Sequence, residues 1–175
     1  MGYSESDFKS AFERTVARVS RSGLAVEIGD VLDPNTGDLD GKTIMVDHLL
    51  SEEDRLFVLV HLFGHCVQWN VSAEARTIGQ ATYLPTTAAE YQQVRAYEKD
   101  ASRYGLRLLH EAGVVDLDQW LTDLWQADWL FLEHFYRTGE RVDPRSFYRA
   151  DAAPPLESLE VPPFEPRAWP RRFAF

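Results

Sequence analysis

Cysteine is almost absent. Cys66 is the sole one among 175 residues, so no internal disulfide can form, and this usage fits a reducing compartment. Positive charge is also scarce. The chain has 18 Lys and Arg against 28 Asp and Glu, a formal net charge of −10. That deficit argues against a nucleic-acid backbone or an anionic membrane as partner, because both require a basic footprint. Long apolar runs are missing as well. The longest, Leu56 to Val60, falls far short of the roughly 20 residues that span a bilayer. The first residues, Met-Gly-Tyr-Ser-Glu-Ser-Asp, are acidic and lack the basic and apolar regions of a secretory signal, so a cytoplasmic location is expected. Internal repeats and long low-complexity tracts are lacking too. What the chain does hold is 45% hydrophobic residues, 13% of all residues being aromatic, ample for one core at this length.

The patterning predicts an α+β fold, mainly helical, with a small antiparallel or mixed sheet near the N-terminus. Ser4 to Arg21 carries Phe8, Phe12, Val16 and Val19 at helical spacing, with Gly23 just beyond as a stop. Two strand candidates follow, Leu24–Ile28 and Lys42–Val46. The turn-forming stretch Asp33–Gly41 between them suggests an antiparallel pair. Ser51-Glu-Glu-Asp54 reads as a helix start, with a hydroxyl cap and acids in the first turn. The helix continues through Val67, apolar around nearly its whole circumference, and is expected to be central and buried. Residues 70 to 86 read as irregular, and a further helix spans about Ala88 to Glu111.

A tryptophan-rich helix is expected over roughly Leu117 to Arg137. It must pack on more than one side or join an interface, so the 117–137 helix and the tail are both candidates for a homodimer contact. From Ala152 onward, Pro154, Pro155, Pro162, Pro163, Pro166 and Pro170 alternate with Phe164, Trp169, Phe173 and Phe175. Such a tail cannot be helical. The chain is therefore divided into a domain over 1–151 and an extended strap over 152–175, lying on this domain or on a partner subunit.

The chemistry concentrates in His61-Leu-Phe-Gly-His65. Residues four apart on a helix share one face, so both imidazoles can meet a single metal ion. The bland alternative is a pair of core histidines with polar partners. In the 88–111 helix, Val94, Ala101, Gly105 and Leu108 form an apolar stripe with Glu98 in its middle. A carboxylate there requires a cation, either a metal or an arginine such as Arg55, Arg76 or Arg95. Two imidazoles and one carboxylate are the usual ligands of a catalytic zinc ion, and the same set suits ferrous iron. Zn²⁺ is the expected cofactor, with Fe²⁺ as the alternative.

The segment Ile44–His65, a strand followed by an acidic linker and a histidine-bearing helix, resembles the ImmA/IrrE zincin-like metallopeptidases. Glu98-Lys-Asp-Ala-Ser-Arg-Tyr-Gly105 resembles their second motif, Glu-x-x-Ala-x-x-Phe-Ala. The likeness covers about residues 24–112 and implies a zincin-like fold with His61, His65 and Glu98 as metal ligands. It breaks at the position that matters most: the family's catalytic glutamate follows the first histidine, and here that residue is Leu62. A leucine cannot shuttle the proton that peptide hydrolysis needs. A replacement acid or base is sought in Asp128, on the Leu121–Leu124–Leu132–Phe135 stripe, and in His134. Glu133, His48 and Asp47 are lesser candidates, a surface role is weighed first for His48, His110 and His134, and Cys66, about 100° around the helix from His65, is expected to be packing.

Three readings follow. The first is a metal-dependent enzyme acting on a small-molecule substrate by hydrolysis, hydration or elimination, or by oxidation if the metal is iron. The second is a catalytically inactive homologue that binds a regulator protein such as a repressor or an antitoxin-like partner. The third is a peptidase with a relocated base.

Overall fold

The structure, a computed structural model, describes residues 2–170 and 173–174, the last two by their backbone alone. Phe175, counted above among the tail aromatics, lies outside the described residues.

Helix α1 (Glu5–Arg21) starts at a reciprocal cap. The Ser4 hydroxyl accepts from the Asp7 amide, and the Asp7 carboxylate takes the Ser4 amide at 2.8 Å. Its apolar face, Phe8, Ala11, Phe12 and Val19, is buried in the common core with helix α2. Strands β1 (Ala25–Gly29), β2 (Gly37–Leu39), β3 (Thr43–Asp47) and β4 (Phe173–Ala174) form one mixed sheet in the order β1-β3-β2-β4. The fold is thus α+β. The expected antiparallel pairing of the 24–28 and 42–46 segments is not what forms: β1 and β3 run parallel, with Val26 opposite Ile44. The cause is β2, hidden in the turn-rich 33–41 stretch, which pairs antiparallel with β3 and reverses the chain once more. Asp40 makes that reversal tight, its Oδ1 accepting from the Lys42 and Thr43 amides at 2.9 and 2.8 Å.

Helix α2 (Glu52–Val71) is capped by Ser51, and every residue from Leu56 to Trp69 is buried. The 70–86 segment departs from the irregular course expected of it. Ser72 ends α2 and caps a short helix α3 (Ala73–Gly79), its hydroxyl accepting from the Ala75 amide at 3.1 Å, so the chain bends without losing helical hydrogen bonding. Helix α4 (Ala88–Glu111) opens on a Thr87–Glu90 capping box, and helix α5 (Asp118–Thr138) ends at Gly139 in the left-handed conformation.

Helices α2 and α4 approach closely enough for backbone to meet backbone. A Cβ at Gly64 would overlap the Ala101 carbonyl, and one at Gly105 would crowd the Val60 carbonyl. This approach brings the middle of α4 against the histidine face of α2.

After a 3-10 turn at Pro144–Phe147, residues 152–170 run without helix across the domain. The Leu156 amide donates to Thr122 Oγ1 at 3.0 Å, the Leu159 amide to the Arg103 carbonyl at 3.2 Å and the Trp169 amide to the Asp40 carbonyl at 2.7 Å. Leu156 is buried, and the Arg76 guanidinium lies 3.7 Å over the Trp169 ring. β4 then pairs with β2. Among the described residues no helix is long and apolar enough to cross a membrane.

Candidate metal centre

His61 and His65 have no solvent exposure, and Glu98 has 4%. His65 Nε2 lies 2.9 Å from His61 Nε2, and Glu98 Oε2 lies 3.1 and 3.2 Å from the two ring nitrogens. These atoms form the His/Glu group able to share one cation. A four-coordinate centre with bonds of about 2.0–2.1 Å separates its ligand atoms by roughly 3.3–3.4 Å. One face of an octahedron with similar bonds separates them by roughly 2.8–3.0 Å. The observed spacing falls between the two, so the donor set fits either geometry.

The neighbours decide which atoms carry hydrogen. Gln68 Nε2 donates to the Tyr97 carbonyl at 2.7 Å, which can only accept, so its Oε1 faces His65 Nδ1 at 2.8 Å and must accept from it. His65 therefore carries a hydrogen on Nδ1 and turns Nε2 toward His61 and Glu98. Ser102 does the same for His61 more loosely. Its hydroxyl donates to the Glu98 carbonyl at 3.3 Å and leaves an oxygen lone pair facing His61 Nδ1 at 3.5 Å. The Tyr97 ring stacks on His65 at 4.5 Å, and the Trp69 indole N–H donates to the Tyr97 hydroxyl at 3.0 Å. Two imidazole nitrogens and a carboxylate oxygen thus converge in a dry interior, an arrangement that needs a shared proton or a cation between them.

Charge follows the same logic. Burial would raise the Glu98 carboxyl, but the charge of His65 and the hydrogen bonds of both histidines outweigh it and hold the group below the usual carboxylate range. Burial, reinforced by His65, pushes His61 down against the opposing pull of Glu98. The favoured state is an ionised carboxylate beside a neutral imidazole, the protonation state of metal ligands.

The arginines considered as partners of Glu98 are engaged elsewhere. Arg55 bridges to Glu52 and the His48 carbonyl, Arg76 donates to the Trp69 carbonyl and covers Trp169, and Arg95 lies exposed on the outer side of α4. Leu62 is fully buried in the apolar core, its side chain and that of Val58 bordering Gly37 of β2. The position after the first histidine is therefore filled by packing.

A cleft of about 460 Å³ reaches the centre from the Glu98 side, with Asp128, Phe131, Phe135 and Tyr136 in its walls. A second, of about 200 Å³, approaches between Tyr83, Pro85 and Tyr97, and it too is bounded by Glu98 and Tyr136. Asp128 is 7% exposed, and its Oδ2 has no hydrogen-bond partner among the described residues. Burial, then the negative charge of Glu98, raises its carboxyl well above the ordinary value.

His134 borders neither cleft; its Nε2 lies 3.9 Å from the Glu140 carboxylate. Glu133 pairs with Arg137 at 2.7 Å. His48 sits 3.1 Å from the exposed Asp30 carboxylate, and His110 lies 2.8 Å from Asp118. Asp47 accepts from the Leu49 and Val31 amides, which hold its carboxyl low and give it a structural task. Cys66 is buried, and burial pushes its thiol up, out of the reactive range.

Sequence reasoning passed over Gln68, Tyr97, Ser102 and Tyr136. Helical spacing contained a signal for two of them: Gln68 lies three residues after His65, and Ser102 four after Glu98. Comparison with known proteins found no matching family model, no similar curated protein and no similar solved structure.

Proposed function

We propose that this chain is a metal-dependent enzyme acting on a small molecule, with His61, His65 and Glu98 holding one divalent ion, Zn²⁺ in the first instance and Fe²⁺ as the alternative. The observation that carries the reading is the convergence of two imidazole nitrogens and a carboxylate oxygen within 3.2 Å in a buried site, with the far ring nitrogens facing partners of their own. The scaffold is read as zincin-like and related to the ImmA/IrrE metallopeptidases, on the strength of the two motifs. An ion so held supplies Lewis acidity toward a carbonyl or phosphoryl oxygen, or redox chemistry if it is iron.

The chain's own groups have separable tasks. Gln68 and Ser102 hold the two rings in one tautomer, and Tyr97 fixes the plane of His65. Asp128, whose carboxyl burial and Glu98 raise, is the group in the cleft wall able to give a proton to a leaving or developing anion and to take one back. The apolar walls exclude water and suit a small organic substrate, for which hydrolysis, hydration and elimination are the reaction classes within reach.

The test is elemental analysis of protein purified without chelators, followed by titration with Zn²⁺ and Fe²⁺. About one ion per chain is expected, with at least 100-fold weaker uptake by Glu98→Gln, since that change removes the only anionic ligand. No stoichiometric metal and no uptake on titration would overturn the proposal. Leu62, packed against Gly37, favours a second reading, a metal-holding module that binds a regulator protein without turnover. Asp128 likewise keeps open a peptidase with a relocated base. A panel of small-molecule esters, amides and hydratable substrates beside a peptide library separates these two from the first.

A further inference from the structure

The 460 Å³ cleft has a polarity of its own. Glu98 and Asp128 stand together in its wall, and Phe131, Phe135 and Val142 supply apolar surface. Arg141 is the only cation among the described residues bordering it. Gly139, with φ at +74°, turns the chain off the end of α5, so that residues 141–144 return along the helix and close the cleft. The Arg141 guanidinium lies 5.0 Å from the Phe135 ring centroid, positioned by that aromatic face.

The other cations nearby are committed. Arg145 is held by Glu53 at 3.2 Å and Asp54 at 2.5 Å, and Arg137 by Glu133 at 2.7 Å. Arg141 pairs with no carboxylate among the described residues. In a chain of net charge −10, an uncommitted guanidinium over an aromatic ring at the margin of an apolar cleft is a ready anion holder. Glu98 is taken up by the metal on the proposed reading, and Arg141 is the side chain in the cleft wall able to pair with a ligand's negative end. The negative end of a ligand belongs at Arg141, its apolar body along the phenylalanines, and its reacting group toward Glu98.

We propose that the cleft takes an apolar organic anion, a carboxylate on a hydrocarbon or aryl body, gripped at its charged end by Arg141. The inference rests on the reading of this cleft as the approach to a metal centre and adds the class of substrate. The volume suits such a molecule, since small-ligand sites commonly occupy about 300–1,000 Å³.

Calorimetric titration of the purified full-length protein with 3-phenylpropionate and with its neutral amide tests it, metal content being measured on the same samples. The acid is expected to bind, and the amide roughly ten-fold or more weakly, the usual difference for a charge-assisted contact. Arg141→Gln is expected to weaken the acid by the same factor and leave the amide unchanged. Arg141 is exposed, so the variant should fold, and its thermal transition serves as the control. Equal affinity for acid and amide, an Arg141→Gln variant that binds the acid as well as the parent, or no binding of the acid at millimolar concentration would overturn the proposal. Arg141-dependent binding in protein that takes up no metal would instead sink the metal reading and leave the anion site standing.

Discussion

Helices α2 and α5 carry comparable loads of bulky apolar residues but differ along part of their length in how buried polar groups are met. In α2, His61, His65 and Gln68 each face a partner: a ring meets a carboxylate, an amide or a hydroxyl, and the amide meets a carbonyl. In α5, Trp125 Nε1, Gln126 Oε1, Asp128 Oδ2 and His134 Nε2 are buried atoms without a hydrogen-bond partner among the described residues. Buried polar groups are almost always satisfied, and the exceptions call for an explanation. The contrast separates two kinds of element. α2 holds a finished constellation deep in the core, whereas α5 lends Asp128 to the wall of the 460 Å³ cleft.

Substitutions on the two helices can sharpen or break that contrast. The largest effect is expected of Leu62→Glu. A carboxylate placed in the closed apolar layer between α2 and β2 should cost about 3–5 kcal/mol of stability, as uncompensated buried charges do. Urea unfolding would measure it. A variant as stable as the parent would show that the layer opens, and would restore interest in that position as a base. Next comes Gln68→Leu, which removes the acceptor of the His65 Nδ1 hydrogen while keeping the volume apolar. Metal affinity should fall 10–100-fold, the usual penalty for losing an outer partner of a ligating histidine, as read by competition with a chelator. An unchanged affinity would mean that ring orientation is set by the Tyr97 stack alone.

The smallest effect, of opposite sign, is expected on α5. The Asp128 carboxyl is raised in the folded state, so above the ordinary aspartate range, about pH 4, the folded protein retains a proton that the unfolded chain has released. Stability from this group is complete below that range and declines as pH rises through the folded value. Asp128→Asn should therefore match the parent near pH 4 and exceed it in stability toward neutral pH. Denaturant midpoints taken across that range decide the matter. A variant that is weaker at pH 7 would show that the carboxylate is paired in solution.

The centre was legible in the sequence because helical periodicity is local. His61 and His65 share a face by spacing alone, and Glu98 declares itself as the one acid on an apolar stripe. Gln68 and Ser102 lay within reach of the same rule. The parallel pairing of β1 with β3 was not legible. It depends on β2, three residues long, too short to show an alternating pattern and embedded among turn formers. The contribution of Tyr136 and Arg141 to one cleft was also invisible, because it follows from the return of the chain after Gly139. The tail could be read as extended from its prolines. Its path past Thr122, Arg103, Asn70 and Asp40 is set by contacts far away in sequence.

The main-chain contact at Gly64 has a consequence for selectivity. The contact of Gly64 with Ala101 sets how far apart the two backbones stand from which the donor side chains of α2 and α4 project. Calcium, which gathers six to eight oxygens at about 2.3–2.6 Å, would find two imidazole nitrogens among the three donors and little room between the backbones to recruit more. A small, nitrogen-tolerant ion needs neither more oxygens nor more room, so on the proposed reading the closeness of the two helices would favour it.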